Sequence, residues 1–320
     1  MSKTAKTWLI VATSLILIGA IIFSGVMSVL KWDFSKLSTT KFQTNTYDIT
    51  ENYKNISIKS NTSDISFIST DSDKTTVVCN EEINLKHSVT VKDDTLLIEI
   101  NDTRKWYQYI GVSFGKQNIT VNLPKGEYGA LSINTDTSDV EIASDFKFES
   151  VDISLSTGDV TNLASANDFI KIKTSTGNID TKNISANSVN LTASTGKISA
   201  ENLNSNGDIK LKVSTGKTNL SNIKCKNLIS SGSTGDIYLN NVISTEKFDI
   251  KRSTGNVKLE FCDANELSIT TDTGDVKGSL LSDKVFITKT DTGKIDVPKT
   301  LTGGKCEIST DTGDIIITIK

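Results

Sequence analysis

"LSITTDTGDVKG", residues 267–278, can be read in two ways. Asp272-Thr273-Gly274 is the triplet found around the catalytic carboxylate of aspartic proteases, and it recurs at Asp291-Thr292-Gly293 and Asp311-Thr312-Gly313. Such an enzyme needs two carboxylates sharing one enclosed site. Yet Leu267, Ile269 and Val276 stand among polar residues with the period-2 alternation of a strand that buries one face. The rest of the chain decides between chemistry and architecture.

Working outward, Thr-Gly recurs at Gly158, Gly177, Gly196, Gly216, Gly235, Gly255, Gly274, Gly293 and Gly313, always 19 or 20 residues apart. These nine glycines are expected as structural turn residues. Two degenerate copies precede them, "INTDTSDVEI" with Ser138 and "IKSNTSDISF" with Ser63 in the Gly slot. With each Gly numbered zero, position −7 is apolar in every copy (Val151, Ile170, Val189, Ile209, Leu228, Phe248, Leu267, Phe286, Cys306). Position −5 is apolar except at Ser230 and Thr288, and +2 is aliphatic except at Thr218. The phase of −7, −5 and −3 differs from that of +2 and +4. The chain must therefore turn a corner at Thr-Gly, where Gly supplies a positive φ. Ser or Asp at −2 is expected to accept the N–H two residues on and close an Asx- or ST-type turn. Thr at −1 is expected to face inward and to bond a neighbouring coil or a backbone group, since a buried unpaired hydroxyl is costly.

A unit of this size cannot close a core alone, but stacked units can. The expected fold is all-β: a single-stack β-solenoid of 19–20-residue coils. Ten coils over 131–320 would make a rod about 45–50 Å long at parallel-strand spacing. Asp272, Asp291 and Asp311 then sit outward at successive corners, too exposed for a protease.

The N-terminus adds one element. Trp8 to Leu30 carry no charge, and about 20 such residues cross a bilayer. The run is longer than the apolar core of a cleaved signal, and "FSGVMSVLKW" is a poor cleavage site. An uncleaved signal anchor is expected. Lys3 and Lys6 before it favour a cytoplasmic N-terminus, with the rest of the chain outside the membrane. The chain divides into a cytoplasmic N-terminus (1–7), the anchor (8–30), a linker (31–51), an N-terminal β region with a first coil and a cap-like insertion (52–130), and the repeats (131–320).

A net charge of −3 and a pI near 5.4 argue against a nucleic-acid partner. With one histidine and four scattered cysteines, neither a histidine-based triad nor a zinc cluster is indicated, and no catalytic, cofactor or metal residue is assigned. Cys225, Cys262 and Cys306 fall on different sides or non-adjacent coils and are expected as free thiols. A polysaccharide-cleaving β-helix would need a non-repeating cluster of carboxylates or Arg, and Arg104 and Arg252 are the only arginines. Two features suit ligand contact. Lys173, Lys212 and Lys251 recur on alternate coils at −4, a basic stripe for an anionic wall polymer or simply a solvated face. The segment 104–116 holds Trp106, Tyr107 and Tyr109, either as a cap on the open end of the core or as an aromatic-basic loop touching membrane or ligand.

The first "TSD" coil, "VNLPKGEY" at 121–128, "LSINTDTSDVEI" at 131–142 and the serial "STGD", "STGN" and "DTGD" coils together resemble the DUF4097 family of adhesin-like β-strand-repeat proteins. That resemblance covers 52–320. It implies a bacterial cell-envelope protein, with some relatives linked to envelope-stress responses, and transfers no catalytic residue. Two functions follow. One is a non-enzymatic adhesin-like binding or scaffold module. The other is an envelope-stress accessory or sensor that binds peptides or lipids and acts with a membrane partner.

Overall fold

The computed structural model describes residues 2–38, 40–106 and 115–320. A helix, Lys3–Val29, spans the apolar run, with the Ser2 side chain capping its N-terminus by accepting from Ala5 N–H at 3.2 Å. Its most apolar stretch has a mean hydropathy of 2.5 and is unburied, so the helix is long and apolar enough to cross a membrane. Among the described residues, the elements named from Phe42 onward are all strands.

The repeats stack as a β-solenoid. Each coil is a triangular turn with three sides. The first side covers −7 to −1, for example Val151 to Thr157, and pairs in parallel with the same side of both neighbours. The second begins at +2, as in the ladder Val140–Val160–Ile179. The third carries inward +7 and +9 residues such as Ile223 and Cys225, both buried. Three sides are needed because two flat sheets would leave the third edge of the core open. The core is one continuous column of aliphatic and aromatic side chains, with Phe67, Phe148 and Phe248 the largest.

Between the first and second sides the glycines form a column of their own. Gly158, Gly177, Gly196, Gly216, Gly235, Gly255, Gly274, Gly293 and Gly313 have φ values between 129° and 156°. They also stack backbone on backbone. A Cβ on Gly177 would stand 2.6 Å from the Gly158 carbonyl carbon, one on Gly196 the same distance from that of Gly177, and one on Gly255 the same distance from that of Gly235. The slot therefore excludes a side chain by contact as well as by backbone angle.

Two expectations about the corner are corrected. Thr at −1 does not face inward: Thr157 and Thr176 are exposed. The inter-coil register skips position −2 (Leu155 pairs with Thr174, then Thr157 with Thr176). That break flips the phase one residue before the corner. The last inward residue is therefore −3, and it is the −3 threonines that bond the backbone: Thr174 and Thr271 each donate to a glycine carbonyl of the coil below at 3.2 Å. Nor do the −2 residues close the turn. The glycine N–H donates instead to the −1 carbonyl of the next coil. Gly158 bonds Thr176, Gly177 bonds Thr195 and Gly255 bonds Thr273 in this way, each at 2.9 Å, and Gly196 bonds Thr215 at 3.0 Å.

The order of the coils is the third correction. The strand Glu266–Thr273 pairs with Gly304–Thr312, and Lys284–Thr292 pairs only with Gly304–Thr312 from the other side. The chain runs out to the end of the stack with residues 284–296, then returns through 297–303 to fill the level beneath. Asp311 therefore lies between Asp272 and Asp291. Lys277 ties the inserted coil in place, reaching Asp275 at 2.7 Å and Asp314 at 3.2 Å.

The other end is also built out of sequence order. The coil Asn55–Lys59/Asp64–Thr70 contacts the repeats through 131–134 and 140–142. On its far side lies a split level made by Thr95–Asp102 and Asn118–Pro124. Antiparallel strands then close the stack: Leu85–Lys92 on Thr95–Asp102, Thr75–Glu82 on Asn118–Pro124, and Phe42–Ile49 on Thr75–Glu82. The expected ten coils are present from 131 on, with two parallel levels below them, so the rod runs about 55 Å at the spacing of parallel strands.

Candidate functional site

Two side-chain ladders hold the corners. At +1, each Asp or Asn accepts the backbone N–H of the equivalent residue one level on. Asp159 N–H donates to Asp139 at 2.9 Å, Asn178 N–H to Asp159 at 2.7 Å, and Asn256 N–H to Asp236 at 3.0 Å. These carboxylates are spent on the stack, which explains the Asp/Asn column better than cation binding does. At +6, Asn183, Asn202, Asn222 and Asn241 adopt left-handed φ values of 52–56°. Their side-chain amides form a ladder with links of 2.8–2.9 Å. Asn tolerates this region because its short polar side chain bonds locally. Sequence reasoning missed this second corner, although "KNI", "ENL", "SNI" and "NNV" repeat Asn plus an aliphatic residue at the coil spacing.

The lysines of the basic stripe do form one column. Lys173, Thr192, Lys212, Ser231 and Lys251 are cross-strand neighbours on the outward face of the first side. Alternate levels put successive lysines about 9.6 Å apart. Lys251 lies 3.7 Å from Asp249, whereas no carboxylate among the described residues comes within ion-pair distance of Lys173 or Lys212. Beside the column, Lys171 pairs with Asp152 at 2.9 Å. Phe169, Lys171, Asp208, Lys210 and Lys226 line an open depression of about 550 Å³. Trp106, 77% exposed, follows the strand Thr95–Asp102 at the antiparallel end, so it is not brought together with the lysines. Tyr107 and Tyr109 lie outside the described residues.

The carboxylates of Asp272, Asp291 and Asp311 are exposed on the outer corner, which excludes the enclosed dyad of an aspartic protease. Arg252 cannot face a substrate. It is 4% exposed and occupies the −3 core position, where Gly232 and Ser230 leave room. There it donates to Ser230 at 3.0 Å, to Thr218 at 3.2 Å and to the Lys251 carbonyl at 3.1 Å. With no carboxylate bonded to it, burial lowers its pKa to about 10.

Cys79, Glu81 and His87 form a buried trio in the antiparallel end, their ligating atoms within 4.8 Å of one another. Glu81 accepts from Asn45 at 2.5 Å, from His87 N–H at 2.6 Å and lies 2.8 Å from His87 Nδ1. His87 Nε2 faces Ser60 and Ser63, each at 3.4 Å. Glu81 and His87 thus spend their polar atoms on four separate segments, and the cluster fixes the register of the cap. A Ser–His–Glu relay is present in outline, but Ser63 is wholly buried and no substrate can reach it. All four cysteines are free and buried. Burial raises the thiols of Cys79, Cys225 and Cys306 to about 12.

A stack of ladder-locked coils with an apolar column inside and paired or solvated charges outside defines a repeat scaffold. The chain belongs to the DUF4097 (Toastrack) family, whose profile matches residues 53–212 and 203–320. No curated protein matches it. Among solved structures, a "putative adhesin" from Bacteroides fragilis is 20% identical with a TM-score of 0.46, covering 74% of this chain and 97% of that one. A second "putative adhesin", from Parabacteroides merdae, is 13% identical with a TM-score of 0.47, covering 77% and 98%. A "putative lipid binding protein" from Parabacteroides distasonis is 14% identical with a TM-score of 0.33, covering 75% and 97%.

Proposed function

We propose that the chain is a non-enzymatic, membrane-anchored protein of the bacterial cell envelope, with a cytoplasmic N-terminus and an extracytoplasmic solenoid that serves as an adhesin-like binding or scaffold module. The lateral lysine column carries this reading. Lys173, Lys212 and Lys251 present positive charge at a regular interval of about 9.6 Å, with hydroxyl side chains between them. An anionic polymer with charges along its length, such as a wall polymer, is the ligand this row suits. The family membership supports an envelope setting.

The test is retention of the full chain in detergent micelles on immobilised anionic wall polymer. Lys173→Gln/Lys212→Gln/Lys251→Gln should lower retention severalfold, and raising salt should abolish it because exposed charges are screened. Equal retention of the triple variant would refute the assignment. A sensor of peptides or lipids acting with a membrane partner is the second reading, and the exposed Trp106 favours it. Loss of lipid or cationic-peptide binding in Trp106→Ala, with polymer binding intact, would select that reading.

A further inference from the structure

The two ends of the stack differ. At the antiparallel end the core is shut, with Val77, Cys79 and Glu81 fully buried. At the other end nothing among the described residues covers the outermost coil, 284–296. Its inward residues Phe286 and Val297 are only half-buried, and Ile295 is 42% exposed. One level inside, the equivalents Cys306, Ile315 and Ile317 are at most 2% exposed. Val285 (37%), Ile287 (51%) and Leu301 (94%) add apolar surface around the same tip. The strand Lys284–Thr292 pairs on one side only, as does Ile295–Asp296, so each leaves one row of N–H and C=O groups facing no strand.

Natural proteins usually blunt such an edge with unpaired charges, bulges or a covering segment. Here the edge charges are neutralised in place, Lys289 by Asp291 at 3.2 Å and Lys294 by Asp296 at 2.8 Å. A partner must therefore offer a strand edge of similar width, an apolar core end and no excess charge. The tip of a second copy meets all three conditions, whereas the opposite end presents antiparallel strands over a closed core.

We propose that two copies of this chain pair tip to tip about a two-fold axis passing through Thr288. Rotation about an axis normal to the first side maps that sheet onto itself and reverses its strands, so residues 286–290, ahead of the break at Asp291, pair antiparallel with the same residues of the other copy. Even-numbered residues then meet even-numbered ones, which keeps the inward row inward. Phe286 covers Thr290 of the other copy, and the two Thr288 side chains meet at the axis. On the outward row Lys289 faces Ile287, so no like charges stand opposite each other. The interface is isologous and closes at two copies. The apolar helix joins the chain at the far end, before Phe42, so pairing places the two helices at opposite ends of a doubled rod about 110 Å long. Bridging two surfaces rests on the membrane-anchored reading above. The pairing itself does not.

The test is disulfide trapping in the full chain in detergent micelles under mild oxidation. In a two-fold antiparallel pair the Cα atoms of Thr288 lie about 4.5–5.5 Å apart, within the range a disulfide spans. Thr288→Cys should cross-link to a dimer at least tenfold faster than Lys212→Cys, a lateral control exposed to any helix-driven association equally. The buried native thiols contribute little background. Adding Ile287→Lys, which sets a lysine opposite Lys289 of the other copy on both sides of the axis, should return Thr288→Cys to the control rate. Cross-linking of Thr288→Cys no faster than the lateral control would overturn the proposal, as would a fast rate indifferent to the added lysine. Either result leaves the polymer-binding assay unaffected.

Discussion

Replacing Gly235 by Ala tests the corner most directly. Gly235 has φ +129°, and a Cβ placed on it would stand 2.6 Å from the Gly216 carbonyl carbon and closer still to its oxygen. Two effects add. Holding a non-glycine residue in this φ region costs about 1–3 kcal/mol. Relieving the clash pushes two levels apart, weakening the bonds from Gly235 N–H to Thr254 and from Gly216 N–H to Thr234, both 2.8 Å, each worth about 0.5–1.5 kcal/mol. The sum is about 2–6 kcal/mol, a large share of the roughly 5–15 kcal/mol typical of a folded domain. With a urea m-value of about 3 kcal/mol/M, the midpoint should fall by roughly 0.7–2 M. The assay is urea unfolding of the full chain followed by far-UV circular dichroism. Gly126→Ala is the matched control, because nothing lies within 4 Å of a Cβ there, and its midpoint should stay within about 0.3 M, as substitutions away from special features usually change little. If the two variants unfold alike, the glycine column is not what sets the corner.

The Asn ladder makes a graded prediction. Asn202→Gly keeps the left-handed φ of 53° but loses two amide links, for about 1–3 kcal/mol, whereas Asn202→Ala adds backbone strain and should cost about 1–2 kcal/mol more. Equal losses in thermal or urea unfolding would argue against the corner. The raised thiol pKa values, with all four cysteines buried, predict that a disulfide exchange reagent at pH 8 labels no native thiol until denaturant is added. Fast labelling of the folded chain would contradict the packing. Lys277, by hydrogen bonding, holds the Asp275 carboxyl below the usual carboxylate range; at Asp314 the Lys294 N–H and then Lys277 do the same. A depressed folded pKa contributes stability that is present above the ordinary carboxylate pKa and lost as pH falls through the folded value. Below about pH 4 the inserted coil should loosen, by a small amount because these groups are solvent-screened, and Lys277→Met should flatten that acid response. An unchanged acid profile in the variant would remove Lys277 from this role.

The sequence by itself determined the solenoid. Its coil length, apolar positions −7, −5 and +2, and glycine corner all lie within about ten residues of one another in each unit, so a local pattern repeated nine times carries them. It also determined that Asp272-Thr273-Gly274 is a corner and not a catalytic loop, since Ser fills the Asp slot in six sister coils. The lysine column was legible for the same reason: period along the chain becomes alignment across the stack. Three things were decided only by tertiary structure. The inward residue before the corner is −3 and not −1, because the ladder skips −2, and a register break has no signature in residue types. Residues 304–319 lie beneath 284–296 because every coil offers the next the same apolar ladder. Local sequence cannot rank those near-equivalent neighbours, but burial and the ties from Lys277 can. Arg252 stands at an inward −3 position, and only the structure shows why a charge is tolerated there: Gly232 and Ser230, on the neighbouring level, leave a space its guanidinium fills.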